Sequence, residues 1–472
     1  MNMDTSNLIV TIDLGTSNIV GLAGVKEGNK IKVVAVEKEA SEGVIRRGCI
    51  TNIDNCASKV RKLITKLDNK LSTHITEVYV GIGGQSVRTI KNNVSRHLPD
   101  GTKITTSLLD ELNKEGRTIP IAATEIIDVL PNETFVNDQV VENPLGLDAK
   151  KIQVDMILAV GRQLLSRNIS AVFEKIEMPI AGLILSSKAD AEAILTKEDK
   201  VKGCVLVNFG GGTTEISIYC HGYLRQTRTI PLGGKNITMD IMSLGLVAEK
   251  AEQYKISLGS ALLSTGEQLK DITLDAQGKV PIKPKDLNRV SVARIEEIVA
   301  NVVHQIKESG YKSEIKGGII ITGGASLLKD LPELLRKEAG MDVHCGTTSE
   351  RIVLSHDIDI QLPLYSQALG MLLIAGEAIS IPVEKKEKSG WLFGWKKNKE
   401  EQQPKVEQKP KEEPKKEPEK VIVKEKEKEK VKPTPTPTKP QQPKKEEKTG
   451  LFDKIRILVQ DTLNEDNNES IK

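Results

Sequence analysis

The sequence predicts an α/β protein built from two related halves, on three observations. Short apolar runs of strand length alternate through residues 1–382 with segments whose apolar residues recur at helical spacing. Two of the runs end in the same device, at 13–18 and 208–215: a tight glycine turn, hydroxyl residues, then a second apolar run. A third run, 318–322, enters a Gly-Gly turn and then a helical pattern. In chain order the expected strands are 8–13, 32–36, 78–82, 154–160, 204–209, 216–219 and 318–322, and the clearest helices are 56–71 and 292–309.

Composition bounds the rest. A chain of 472 residues allows two to four compact units, since one core rarely serves more than about 250–300 residues. Hydrophobic residues are 38% and charged residues 28%, which suits a soluble fold, while aromatics at 3% leave room for a long segment outside any core. The formal net charge of +3 makes no case for a nucleic-acid partner. Cys49, Cys56, Cys204, Cys220 and Cys345 form no C-x-x-C pair and the 6 histidines are scattered, so reduced thiols in a cytoplasmic protein are expected and a zinc site is not. The N-terminus has no basic region followed by a long apolar run, so no signal peptide is expected. No run of about 18 apolar residues occurs, so any membrane contact is expected at the surface.

Composition changes abruptly near residue 383. Lys, Glu, Pro and Gln dominate 383–448, with Thr-Pro repeats at 433–437. Such a stretch buries too little apolar surface to offset chain entropy and is expected to be disordered. Inside it Trp391, Leu392, Phe393 and Trp395 form either a small binding motif or the frayed end of the globular part. Periodicity returns after Gly450. On a helical wheel Leu451, Phe452, Ile455, Leu458, Val459 and Leu463 fall within an arc of about 140° flanked by Lys454 and Arg456, with Ile457 as the exception. By itself that wheel fits a helix lying in a membrane interface, one docking in a partner's groove, or one packing on its own core.

The three glycine turns carry the chemistry. Gly15 allows a tight hairpin whose following N–H and hydroxyl groups can face phosphate oxygens, and Asp13 at the strand end can hold magnesium through water. The segment 207–215 (VNFGGGTTE) repeats that logic, and two such hairpins suggest a nucleotide clamped between duplicated halves. At 317–327 (GGIIITGGASL) glycines let the backbone approach a flat ligand, and the following helix start favours phosphate. No G-x-x-x-x-G-K-[ST] loop occurs.

The order and spacing of these motifs resemble the actin, DnaK-type chaperone and sugar-kinase superfamily. Within it, VYVGIGGQSVR at 78–88, AEAIL at 191–195, IPLGGKNI at 230–237 and YSQALGML at 365–372 resemble the FtsA family. The resemblance implies an actin-like ATPase fold: one large subdomain from 1–79 plus 165–200, an FtsA-type inserted subdomain at 80–164, a second large subdomain from 201–235 plus 315–382, and a further subdomain at 236–314. A linker at 383–448, a membrane-targeting helix at 449–464 and a tail at 465–472 would follow. It also implies ATP and Mg2+ as ligands. Asp13, Thr16, Ser17 and Asn18 would contact phosphate and magnesium, and Gly210, Gly211, Gly212, Thr213 and Thr214, following Asn208, would contact the β- and γ-phosphates. Gly323, Gly324, Ala325 and Ser326 would lie along the nucleoside. Glu252 and Lys255 would line the adenosine pocket, the alternative being a solvated helix face.

By the same likeness the chain would polymerise and bind the C-terminal peptide of FtsZ at Arg294 and Glu297, the alternative there being an ordinary exposed i,i+3 charge pair. It would recruit later division proteins through the inserted subdomain. It would attach peripherally to anionic lipid, on the cytoplasmic face of the cell membrane at the division septum.

Three positions depart from the pattern. Asn208 stands where the family usually has Asp, Ser186 and Ser187 where relatives often have Glu-Pro, and Asn18 where many members have Lys. Without those carboxylates, and with no candidate base apparent beside the second hairpin, slow or absent hydrolysis is expected. A sugar or acetate-type kinase would need such a base, and a disordered tether ending in a lipid-seeking helix has no use in one. A pilus-assembly or other actin-like protein would differ in the placement of residues 80–164.

Overall fold

Two large sheets, each with helices packed on it, organise the computed structural model, which describes residues 7–118, 124–263 and 283–379. The aromatic cluster at 391–395, the linker expected at 383–448, the helix expected at 449–464 and the tail at 465–472 lie outside the described residues. No helix among the described residues is long and apolar enough to cross a membrane.

The first half opens with an antiparallel hairpin of β1 (Leu8–Leu14) and β2 (Asn18–Glu27), extended by β3 (Lys30–Ala40). A short ribbon of β4 (Ile45–Arg46) and β5 (Cys49–Ile50) leads into α1 (Ile53–Leu71). This helix starts where the Asn52 side chain accepts the Asn55 N–H at 2.9 Å and stops where Ser72 turns left-handed. Its buried stripe of Cys56, Val60, Leu63, Ile64 and Leu67 packs against β2 and β3. Next, β6 (Val78–Ile82) runs parallel to β1.

The insert follows as β7 (Arg88–Lys103), α2 (Thr106–Arg117), β8 (Thr124–Val136), β9 (Gln139–Val140) and β10 (Asp148–Arg162), with its own core around Ile104, Leu112, Ile152 and Leu158. Then α3 (Leu164–Lys175), β11 (Ile180–Leu185), α4 (Ser186–Ile194) and α5 (Lys197–Lys202) continue the first half, β11 pairing parallel with β6.

The second half repeats the first. Strands β12 (Cys204–Phe209), β13 (Thr214–Cys220) and β14 (Tyr223–Ile230) form an antiparallel meander. Helices α6 (Gly234–Met242), α7 (Ala248–Leu258) and α8 (Pro284–Glu308) come next, α8 burying Leu287, Ser291, Ile295, Ile298, Val302 and Ile306 along one stripe. Then β15 (Ile319–Thr322) runs parallel to β12, and after α9 (Leu331–Ala339) β16 (Val343–Cys345) runs parallel to β15. The order β16-β15-β12-β13-β14 therefore mirrors β11-β6-β1-β2-β3, strand for strand and direction for direction. The duplication expected from the two hairpins is present in the sheets.

The partition into subdomains differs from expectation in three places. The expected border at 79/80 cuts through β6, which sits wholly in the first sheet. The segment expected to close the second large subdomain, 315–382, divides: after β16 the chain returns to the first half. There β17 (Ile352–Leu354) pairs with β3, and α10 (Ser366–Ile379) buries Leu369, Leu372 and Leu373 in the first core against α4 and β1. The insert, placed by chain position in the first half, hydrogen-bonds to the second. β7 continues the second sheet from β14, where Thr227 N–H donates to Thr89 Oγ1 at 2.8 Å, and Arg225 reaches Asn132 at 2.6 Å and Glu133 at 2.7 Å. An open sheet edge is satisfied most directly by another strand, and β14 supplies that edge.

Candidate functional site

The two glycine hairpins meet at one cleft of about 420 Å³. The β1–β2 turn brings Asp13, Gly15, Thr16, Ser17 and Asn18 to its wall, and the β12–β13 turn brings Asn208, Gly210, Gly211 and Thr213. Their contact is close. A Cβ on Gly211 would stand 2.1 Å from Ser17 Oγ, and one on Gly212 would stand 2.6 Å from Thr16 Cγ2. Only bare backbone fits against the first hairpin's hydroxyl residues. Thr16 is held from both sides: its Oγ1 accepts the Gly48 N–H at 2.9 Å, and its carbonyl accepts Lys235 Nζ at 2.9 Å. The start of α6 braces the second hairpin, with Gly234 N–H donating to the Gly210 carbonyl at 2.9 Å and Lys235 N–H to that of Gly211 at 2.7 Å.

The third turn closes the other side. Gly323, Gly324 and Ala325 line the cleft together with Glu252, Lys255 and Ile256. Gly323 has φ +89°, and a Cβ there would fall 2.2 Å from Asn208 Oδ1. Lys255 is not on a solvated face. Its side chain is 12% exposed, and Nζ donates to Glu252 at 2.7 Å, to Thr238 Oγ1 at 3.0 Å and to the Gly234 carbonyl at 3.2 Å.

Three residues expected at the site face elsewhere. Thr214 Oγ1 donates to the Leu232 carbonyl at 2.9 Å, Ser326 Oγ donates to the Gly323 carbonyl at 2.7 Å, and Gly212 sits behind the wall against Thr16. Strand alternation and the short helical turn after Gly323 point these groups inward, where they secure the turns.

The floor is acidic. Asp13 keeps some exposure to the cleft but is enclosed by protein, and that enclosure, with Asp190 nearby, pushes its carboxyl up to about 7. Burial pushes Glu215 up to about 8, with Asp190 and Asp13 adding to it, and its Oε1 is buried with no partner among the described residues. Asp190 lies one layer beneath, raised to about 6 by burial against the opposing pull of hydrogen bonds from Asn208, Ser366 and Gln367. Lysines Lys38, Lys235 and Lys255 line the same cleft. Burial pushes the Lys235 ammonium down, while Glu42 and Glu252 pull it back up and Lys255 pushes it further down. A ligand with a flat apolar part and an anionic tail beside a cation matches this arrangement.

The family model for the cell division protein FtsA matches residues 205–370. Curated relatives under that name extend the likeness over most of the chain. That of Neisseria meningitidis is 29% identical over 372 residues, covering 77% of this chain and 89% of its own, and that of Porphyromonas gingivalis is 28% identical over 342 residues, covering 71% of each. The chain resembles the FtsA family over most of its length. Its fold is that of the actin-like ATPases. Among solved structures it is similar to the PilM–PilN type IV pilus biogenesis complex, with a TM-score of 0.54 over 78% of this chain and 98% of that one; at 16% identity this likeness concerns the fold alone.

The departures from the FtsA pattern have structural places. Ser186 opens α4 at the cleft wall, and Ser187 Oγ is buried with no partner among the described residues. Two carboxyl groups stand beside the second hairpin, where no candidate base was expected. Glu215 pairs across the β12–β13 hairpin from Asn208, and Asp190 accepts the Asn208 amide at 2.7 Å. Sequence reasoning missed Asp190 because its partners are far away along the chain. It also missed Lys235, although a lysine directly after the Gly-Gly that opens α6 was a usable signal.

Arg294 and Glu297 sit on α8 as expected, but not as a lone exposed pair. Arg294 Nε donates to Asp240 of α6 at 2.5 Å, and its Nη1 reaches Glu297. The Asp240 carboxylate holds the guanidinium above its ordinary pKa. Arg294 thus pins α8 to α6 while remaining about a quarter exposed, at 25%.

Proposed function

We propose that this chain binds ATP with Mg2+ in the cleft and acts as a polymerising adaptor that anchors FtsZ filaments to the cytoplasmic face of the cell membrane at the division septum. The observation that carries the ligand is the meeting of two glycine hairpins, one from each duplicated half, over an acidic floor. The hollows at Gly211 and Gly212 receive Ser17 and Thr16, which locks the two turns together, and the backbone N–H groups of the turns would serve phosphate oxygens. Lys235 and Lys255 supply positive charge at the cleft wall. The nucleoside would lie along Gly323, Gly324 and Ala325.

Magnesium fits the donor set. Among the described residues no group of three His, Cys, Asp or Glu could hold a metal by itself. Magnesium keeps several waters and takes one or two carboxylates plus phosphates. Asp13 is the carboxylate for that role, through water, and the unpartnered Glu215 Oε1 adds negative charge behind it. The bound ion would neutralise phosphate charge and draw these acids into their ionised forms. Hydrolysis is expected to be slow: Ser186 stands where relatives often carry Glu and cannot take a proton from water comparably near neutral pH.

Likeness to a family of cell division proteins supports the partner side of the reading. Arg294 and Glu297 would contact FtsZ, which would share the guanidinium with Asp240. The insert would serve later division proteins. The helix at 449–464 would attach to anionic lipid through Leu451, Phe452, Ile455, Leu458, Val459 and Leu463, with Lys454 and Arg456 beside them. One such helix binds weakly, and filament formation would align many of them.

Co-sedimentation of FtsZ with anionic liposomes tests this, using the full chain and a version ending at Thr449, both in ATP. FtsZ pelleting only with the full chain supports the adaptor. If the chain pellets and FtsZ does not, the partner is wrong. If neither pellets, the tether reading fails.

A further inference from the structure

We propose that Asp190 is a positioning residue for the cleft and that Asn208 is matched to it, so that the carboxylate serving position 208 is held one layer beneath the wall instead of on it. The inference rests on the nucleotide reading of the cleft.

Asp190 lies on α4, in the first half, and is 2% exposed. Both of its oxygens are used. Oδ2 accepts Asn208 Nδ2 at 2.7 Å and Gln367 Nε2 at 3.1 Å, and Oδ1 accepts Ser366 Oγ at 2.6 Å. Each of the three donors lines the cleft, although Asp190 does not. They come from β12 in the second half and from the start of α10, the helix that returns to the first half. One buried carboxylate thereby ties the strand carrying the second hairpin to two elements of the first half.

Asn208 is locked at its other end as well. Its Oδ1 lies where a Cβ on Gly323 would be only 2.2 Å away, so the amide is sandwiched between Asp190 and the third glycine turn. An Asp at 208 would set two carboxylates against each other at the 2.7 Å separation now bridged by the amide, and both could not ionise. This gives the physical reason for Asn where the resemblance predicts Asp. The carboxylate is present, at position 190, and the amide is the donor that keeps it ionised and in place. Asp190 touches no ligand; it acts through Asn208, Ser366 and Gln367.

A reciprocal exchange tests the pairing. Full-length wild type, D190N, N208D and D190N/N208D are compared for Mg·ADP affinity by titration calorimetry and for ligand-free melting temperature. Each single change is expected to weaken binding by about tenfold or more, and the double exchange, with one carboxylate again facing one amide, to recover to within about threefold of wild type. A role in packing alone would leave D190N near wild type, because the side chains are of equal size. Single variants within threefold of wild type overturn the inference, as does a double variant that loses as much as the two singles combined. Should N208D not fold, D190N decides alone, and wild-type affinity in it overturns the inference. Wild type without measurable binding removes the nucleotide reading and this inference with it. Binding by wild type without recovery in the exchange removes the inference only.

Discussion

The two phosphate-type hairpins are copies in topology and opposites in surface. The first presents side chains to the cleft: an acid at the strand end, then Thr16, Ser17 and Asn18. The second presents mostly backbone, because Gly211 and Gly212 are the hollows into which Ser17 and Thr16 fit. The charges differ too. Asp13 stands on the wall of the first, whereas the second carries an amide at the matching place, with Asp190 of α4 beneath it. Duplicated halves that close on each other cannot stay identical at the contact. A protrusion on one demands a hollow on the other, and two carboxylates at the same depth repel.

The sharpest way to break this complementarity is to fill the hollow. Gly211→Ala places a methyl group against Ser17 Oγ, and overpacking of this kind costs about 1–3 kcal/mol. Mg·ATP affinity is expected to fall by roughly 10- to 100-fold, read by titration with a slowly hydrolysed analogue. Adding Ser17→Ala should recover part of that loss, and unchanged affinity in Gly211→Ala would show that the hairpins do not meet in solution.

Removing the acid on the wall comes next. Asp13→Asn should weaken nucleotide binding by about tenfold, or about 1.4 kcal/mol, with magnesium present, and by much less when EDTA removes the ion. Equal losses in both conditions would assign Asp13 a role other than the cation's.

A pH scan asks whether the floor is as buried as it looks. A carboxyl raised from 4.5 to about 8 binds more protons folded than unfolded. The stability it contributes is complete below its unfolded pKa and is lost as pH rises through about 8. The ligand-free melting temperature should therefore fall between pH 5 and pH 8, and Glu215→Gln should flatten much of that slope. A slope unaltered by the substitution points to another group.

The smallest effect is expected on the nucleoside side. Lys255→Ala removes hydrogen bonds to Glu252, Thr238 and the Gly234 carbonyl, at about 1 kcal/mol, or roughly fivefold in affinity. A loss as large as that from Gly211→Ala would mean that Lys255 itself carries phosphate.

Particular elements show where local reasoning succeeds. Strands at 78–82 and 204–209 are present with those bounds, and the glycine turns lie where they were read, because a buried strand and a tight turn each leave a local signature. Helix α8 was read from 292 but begins at Pro284, since its first turns carry too few apolar residues for periodicity to register. The return of α10 to the first core escaped notice: its sequence is apolar nearly all round, which says that it is buried but not against which half. The same holds for the insert, whose alternation defines its strands but not the edge they extend.

The sequence by itself determined the α/β class, the duplication, the three glycine turns and the family likeness that follows from them. These are short-range patterns, repeated, in which each residue type answers to its immediate backbone. The tertiary structure alone decided that Asp190, Asn208 and Ser366 form one site, that Lys235 bridges the hairpins, that Thr214 and Ser326 face inward, and that Arg294 is already held by Asp240. Each of these depends on a partner that folding brings close from a distant or unmarked position along the chain, 176 residues in the case of Asp190 and Ser366. Hydrogen bonds and burial depend on distance in space, and composition and periodicity carry no record of it.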